Sequence, residues 1–213
     1  MVQKHMPSPV GHALAGVAVA WTADLVPGRR AWRPADSDAS FVRRAGGPLT
    51  LVCAVLGALP DLDLVLSRHR AVTHSIGAVM LVSIIASVVT GWVTRKVRSE
   101  KLEVGSVVRV ALMCAAAYGS HLLLDWLAVD MTSPYGVRAL WPLSDRWYIS
   151  GLDWFPPTER RGFFSLAAFR INLFAMAYET AVLLPVLGVL WLVRVKALAR
   201  FSAEAAGRDH PSQ

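Results

Sequence analysis

Three histidines and four carboxylates of this chain stand where ionisable side chains are expensive. His12, Asp61, His121, Asp125 and Glu179 fall inside apolar stretches long enough to cross a membrane, and Asp63 and His74 mark the edges of two such stretches. A carboxylate or imidazole in hydrocarbon is costly, and groups placed there usually face a bundle interior and act there. Imidazole nitrogens together with carboxylate oxygens suit Zn²⁺ or a similar divalent cation. His121 and Asp125 are four residues apart, so they share one helix face and can reach one ion. Asp61 and Asp63 follow Pro60 directly. Proline frees a backbone carbonyl and ends or bends a helix, which would present both carboxylates from an irregular turn. Two carboxylates that close repel one another unless a cation neutralises them. Thr73 reads as an N-cap, which puts His74 at a helix start facing the same site. Arg70, just upstream, can meet a phosphate or carboxylate, and His69 reads as a loop residue. The blander readings are a His–Asp hydrogen bond across a helix contact, a solvated Asp63 at a helix end, and His12 as a satisfied core residue.

The elements that must position these residues follow from the apolar runs. Hydrophobic residues make up 54% of the 213, mean hydropathy is +0.44 and only 17% are charged. Soluble domains carry about 25% charged residues, so the excess in long runs is a membrane signature. Five spans are expected, over residues 9–26, 48–66, 73–93, 105–129 and 172–195. The expected fold is all-α, a polytopic transmembrane bundle forming one domain over residues 1–201, with a polar mobile tail at 202–213. The first span is short and poor in leucine, so it can be only partly inserted. Residues 130–171 form a long loop in which Trp141, Trp147, Tyr148, Trp154 and Phe155 alternate with prolines and arginines. Aromatic residues favour the membrane interface, so this loop is placed along the headgroups as a roof over the site. With five spans, 14 of the 22 Lys and Arg residues fall on the side holding the 27–47 and 94–104 loops and the C-terminus. That side is expected to be cytoplasmic. All seven candidate ligands lie towards the other, extracytoplasmic face.

Several function classes are disfavoured. Net charge is +7, but the cations cluster between apolar runs, as at Arg43-Arg44 and Arg95-Lys96. No basic stripe interleaved with aromatics suggests nucleic acid as a partner. Cys53 and Cys114 lie in apolar runs and indicate no disulfide framework. No nucleophile elbow, Walker loop, dinucleotide fingerprint or His-Glu-x-x-His motif occurs, and no cleavable signal peptide is evident.

The order Gly11-His12, Leu59-Pro60-Asp61-Leu62-Asp63, His69-Arg70 with Thr73-His74-Ser75, and Ser120-His121 with Asp125 resembles the YdjM-like membrane proteins over residues 8 to 180. These are described as LexA-binding, inner-membrane-associated, metal-dependent hydrolases. More distantly, the order is similar to the zinc-dependent phospholipase C and single-strand nuclease superfamily. That likeness implies zinc ligands at His12, Asp61, His74, His121, Asp125 and Glu179. No histidine occurs between His121 and His210, which implies one or two ions rather than a full three-zinc site.

The expectation is therefore a multi-pass inner-membrane hydrolase that uses one or two Zn²⁺ ions on a phosphoester, with a lipid headgroup as one candidate substrate. Its metal ligands would be His12, Asp61, Asp63, His74, His121, Asp125 and Glu179. Asp61 or Asp63 would serve as general base and Arg70 would hold the phosphate. Two other readings compete. One is a non-enzymatic membrane protein with a structural metal or a scaffold role for a soluble partner. The other is a cation or proton transporter, which would spread its ligands through the membrane depth.

Overall fold

Prolines and glycines set where the helices begin and how closely they pass. The computed structural model describes residues 4–5, 7–25, 45–66, 72–97, 104–131, 133–159 and 165–208. His69, Arg70, Arg160, Arg161 and most of the expected 27–47 loop lie outside these residues. Helix α1, Pro9–Ala23, starts on a proline, with Ser8 as its N-cap accepting from Gly11 N at 3.2 Å. A proline at the first position has no orphan N–H to satisfy and is preset for the helix. Helix α2, Pro48–Ala58, starts the same way. It gives way at Pro60 to a 3₁₀ segment, Leu59–Leu66, that carries Asp61 and Asp63. Helices α3, Ile76–Trp92, α4, Val104–Leu127, and α5, Leu166–Arg208, complete the bundle. A five-residue π-helical turn, Val93–Val97, extends α3.

The fold is all-α, as expected. α3 with its π turn, α4 and the 166–197 part of α5 are long and apolar enough to cross a membrane, whereas α1 is a shorter apolar helix. The five spans of the sequence reading thus correspond to three long helices and two short ones. α2 is short because Pro60 interrupts its hydrogen-bond ladder. α5 is longer than expected at both ends, starting inside the predicted 130–171 loop and continuing into the predicted tail as far as Arg208.

α1 lies at the centre, packed against α2, α4 and α5, while α3 packs on α4. Glycine makes the α1–α2 crossing possible. A Cβ on Gly16 would run into the Cys53 carbonyl, and one on Gly57 would run into the His12 carbonyl. Ala20, Cys53, Met113 and Ala117 fill the layer beside this crossing. No residue of α3 is buried, and Met80, Leu81, Ile84, Ile85 and Val88 are exposed along it. An apolar face of that extent requires a covering, and a bilayer supplies one without further contacts.

Two polar ties fasten α1 to α5. At its start, Ser8 N donates to Glu179 Oε1 at 2.8 Å and the Ser8 hydroxyl donates to Oε2. At its end, Arg194 Nε donates to Asp24 Oδ2 at 2.5 Å with both side chains buried. Arg109 of α4 adds a bond to the Ala23 carbonyl, also at 2.5 Å.

The segment from Ala128 to Glu159 is strapped across one end of the bundle. Ala139 O and Trp141 O accept from Ile76 N and Gly77 N at 2.8 and 3.0 Å, satisfying orphan donors at the start of α3. At the other edge, Trp154 N donates to Leu127 O and Val129 N to Phe155 O, next to the end of α4. Gly136, at φ 89°, turns the strap where a Cβ would strike the Tyr148 carbonyl. The strap ends in the two-residue strand β2, Thr158–Glu159, paired antiparallel with β1, Lys4–His5. Asn172 of α5 fixes that end by bonding Glu159 N and O at 2.6 and 2.8 Å.

Gly57→Ala should lower the unfolding midpoint in detergent by the equivalent of roughly 1–3 kcal/mol, the usual cost of overpacking. An unchanged midpoint would contradict the close α1–α2 crossing.

Candidate metal centre

The candidate side chains come from separate elements that meet beneath the strap. His12 lies one turn into α1, Asp61 and Asp63 in the 3₁₀ segment, His74 in the bend before α3, and His121 and Asp125 near the end of α4. The three histidines are 0% exposed, and Asp125, Asp63 and Asp61 are 1%, 5% and 8% exposed. The least enclosed edge of the cluster is therefore Asp61.

Hydrogen bonding fixes the tautomer of two imidazoles. His121 Nδ1 lies 2.8 Å from Gly57 O. A carbonyl only accepts, so Nδ1 carries the hydrogen and Nε2 presents a lone pair. The Thr73 hydroxyl donates to Asp63 Oδ2 at 2.5 Å, which leaves its oxygen to accept from His74 Nδ1 at 3.0 Å. His74 Nε2 then also presents a lone pair. These two Nε2 atoms stand 3.0 Å apart, and Asp125 Oδ2 is 3.3 Å from each. Three electron-rich atoms converging in a buried space repel unless a positive charge lies among them.

Asp125 extends the cluster to α1. Its Oδ1 stands 3.2 Å from His12 Nε2, and the His12 ring stacks on that of His121 with centroids 3.6 Å apart. Neither Asp125 oxygen and neither His12 nitrogen has a hydrogen-bond partner among the described residues. Buried polar atoms are nearly always hydrogen-bonded, so this group calls for a partner. Two sets of donors lie within 4.8 Å of one another: His12, His121 and Asp125, and Asp61, His74 and His121. Asp61 Oδ1 is 3.9 Å from His121 Nε2.

Two predicted ligands stand apart from these sets. Asp63 holds Thr73 and lies 3.4 Å from His74 Nδ1, behind the ring rather than in front of it. It orients His74, as carboxylates behind metal-binding histidines commonly do. Glu179 is taken up by Ser8, and a Cβ on Gly11 would collide with its carboxylate, so it is seated against the start of α1. Arg70 lies outside the described residues.

The sequence matches the YdjM inner membrane protein family over residues 6–201. The chain belongs to this family. No curated protein and no solved structure matches it. The YdjM match takes in every residue of the cluster and the whole strap above it. The family's name refers to the inner membrane, in agreement with the three long apolar helices.

Some contributors to this YdjM centre escaped the sequence reading. Ser8 had a usable signal, since a serine directly before a proline is a common helix start. The Gly57 carbonyl had none, being a backbone group. Thr73 was expected to cap α3, but Ser75 does so, accepting from Ala78 N at 3.2 Å. Thr73 serves the centre instead, and Tyr118 holds its carbonyl at 2.7 Å.

Glu179→Gln keeps an oxygen for Ser8 and should fold near normally. Glu179→Leu orphans both Ser8 donors and should cost about 1–3 kcal/mol in a detergent unfolding measurement. Equal stability of the two variants would contradict the tie.

Proposed function

We propose that this centre holds one or two divalent cations, with Zn²⁺ as the best match to the donors, and that the chain hydrolyses a phosphoester at the membrane. The observation that carries the metal reading is the meeting of His74 Nε2, His121 Nε2 and Asp125 Oδ2 within 3.0–3.3 Å in a buried space, with Nδ1 of each ring already engaged elsewhere. Zn²⁺ takes nitrogen and oxygen donors of this kind. His121 has one nitrogen to give, because Gly57 occupies the other. It would therefore hold one ion. A bound divalent cation would lower the pKa of a coordinated water and polarise the ester.

The remaining roles fall to the chain's own groups. Asp61, at the least enclosed edge, takes the proton of the attacking water as general base. Asp63 and the Gly57 carbonyl hold His74 and His121 in their tautomers. The strap keeps bulk water off the face towards α3 and α4. Arg70, four residues before His74 in sequence, is the candidate anion holder. The reading includes a multi-pass topology with the centre towards the extracytoplasmic face, supported by the charge bias of the loops.

Complete enclosure of the three histidines favours a second reading, a closed metal site that only stabilises the bundle. Elemental analysis of purified protein, followed by a phosphodiester and phospholipid screen, separates the two. Hydrolysis is expected, with His121→Ala and Asp125→Ala losing both metal and turnover. Asp61→Asn should keep metal and lose roughly 10²–10⁴-fold in rate. Stoichiometric metal with no turnover on any ester would leave the stabilising role. Turnover retained in His121→Ala at matched metal content would end the hydrolase reading.

A further inference from the structure

At the end of the bundle away from the strap, the surface between α3 and α4 opens into a groove of about 410 Å³. Its walls are Ser87, Val88, Gly91 and Trp92 of α3 and Val107 of α4, and its mouth carries Arg95 and Lys96. The two cations sit in the π-helical turn Val93–Val97, where the helix widens by a residue per turn. Both are exposed, and neither pairs with an acidic side chain among the described residues. Val88 and Trp92 are 66% and 59% exposed along the lipid-facing side of α3.

We infer that this groove binds an anionic phospholipid, with the headgroup phosphate on Arg95 and Lys96 and an acyl chain along Val88, Gly91 and Val107. The order of chemistry down the groove supports this occupant. Two exposed cations lie at the end of an apolar span, Trp92 stands at the level aromatic residues prefer, and apolar wall continues below them. From Ser87 to Lys96 the helix rises about 13 Å, most of the depth of one leaflet. A free phosphate or a nucleotide would use the cations and leave the apolar wall uncovered. A zwitterionic lipid would use the wall but gain little from two cations. Clusters of Lys and Arg just outside an apolar helix attract anionic lipids in this manner. The groove lies at the opposite end of α4 from His121 and Asp125, so it is separate from the proposed metal centre and does not depend on it.

The test uses the full chain reconstituted in phosphatidylcholine discs containing a minority of phosphatidylglycerol. After transfer to mild detergent, native mass spectrometry counts the lipid that stays bound. Retention of one phosphatidylglycerol per chain is expected. Arg95→Gln with Lys96→Gln should lower that occupancy roughly tenfold or more. Gly91→Leu should lower it as well by filling the apolar part with both cations intact, and it stands in if the double variant does not purify. Lys196→Gln, a cation elsewhere on the surface, should have no effect. Equal retention of phosphatidylcholine overturns the inference, as does full occupancy in the Gly91 or the double variant. Loss of lipid in Lys196→Gln would reduce the effect to general surface charge and overturn it too. Displacement by millimolar inorganic phosphate would make the groove a free-anion site and overturn the lipid assignment.

Discussion

One carboxylate holds the middle of this bundle. Asp125 has a different histidine on each side, His12 against Oδ1 and both His74 and His121 against Oδ2, with almost no solvent to share its charge. A buried charge in that setting must be compensated, and every neighbouring element brings a group against it. α1 brings His12, the bend before α3 brings His74, and α4 brings His121 on the turn before Asp125 itself. The glycine contact of α1 with α2 serves the same end. It lets the Gly57 carbonyl reach the His121 ring, and so decides which nitrogen of that ring faces the centre.

The surrounding groups form a shell whose parts have separate duties. Asp63 and Thr73 set His74, Tyr118 holds the Thr73 carbonyl, and the strap fixes the start of α3 immediately after His74. Ring orientation thus depends on one carboxylate behind His74 and on backbone and hydroxyl groups that carry no charge. Such partners govern how well a histidine can serve a cation even though they never touch it.

Much of the centre was legible because hydrocarbon makes ionisable residues conspicuous. His12, Asp61, His74, His121 and Asp125 could be singled out by their apolar neighbours, and the four-residue spacing of His121 and Asp125 placed them on one face. The helical class was legible for the same reason. Two things were not. The sequence does not distinguish a carboxylate in front of a ring from one behind it, so Asp63 and Glu179 read like the others, although Thr73 and Ser8 occupy them. Nor does an apolar run state whether its helix must cross a bilayer. α1 and α2 sit against other helices, so packing supports them at lengths that lipid would not. The tie between Asp24 and Arg194 was hidden because both residues lie at the ends of apolar runs, where charge is ordinary.

The pairing of α1 with α5 has a consequence for how this chain can change. Ser8 meets Glu179 and Asp24 meets Arg194, so the two helices run in the same direction and are fastened at both ends. The intervals are sixteen and fifteen residues, each about 23 Å of helix. One inserted or deleted residue between the fastenings would turn every later side chain by about 100° and release one of them. The two segments are therefore matched in length to each other. An insertion that a surface loop would absorb becomes, here, a change of register that both helices would have to make together.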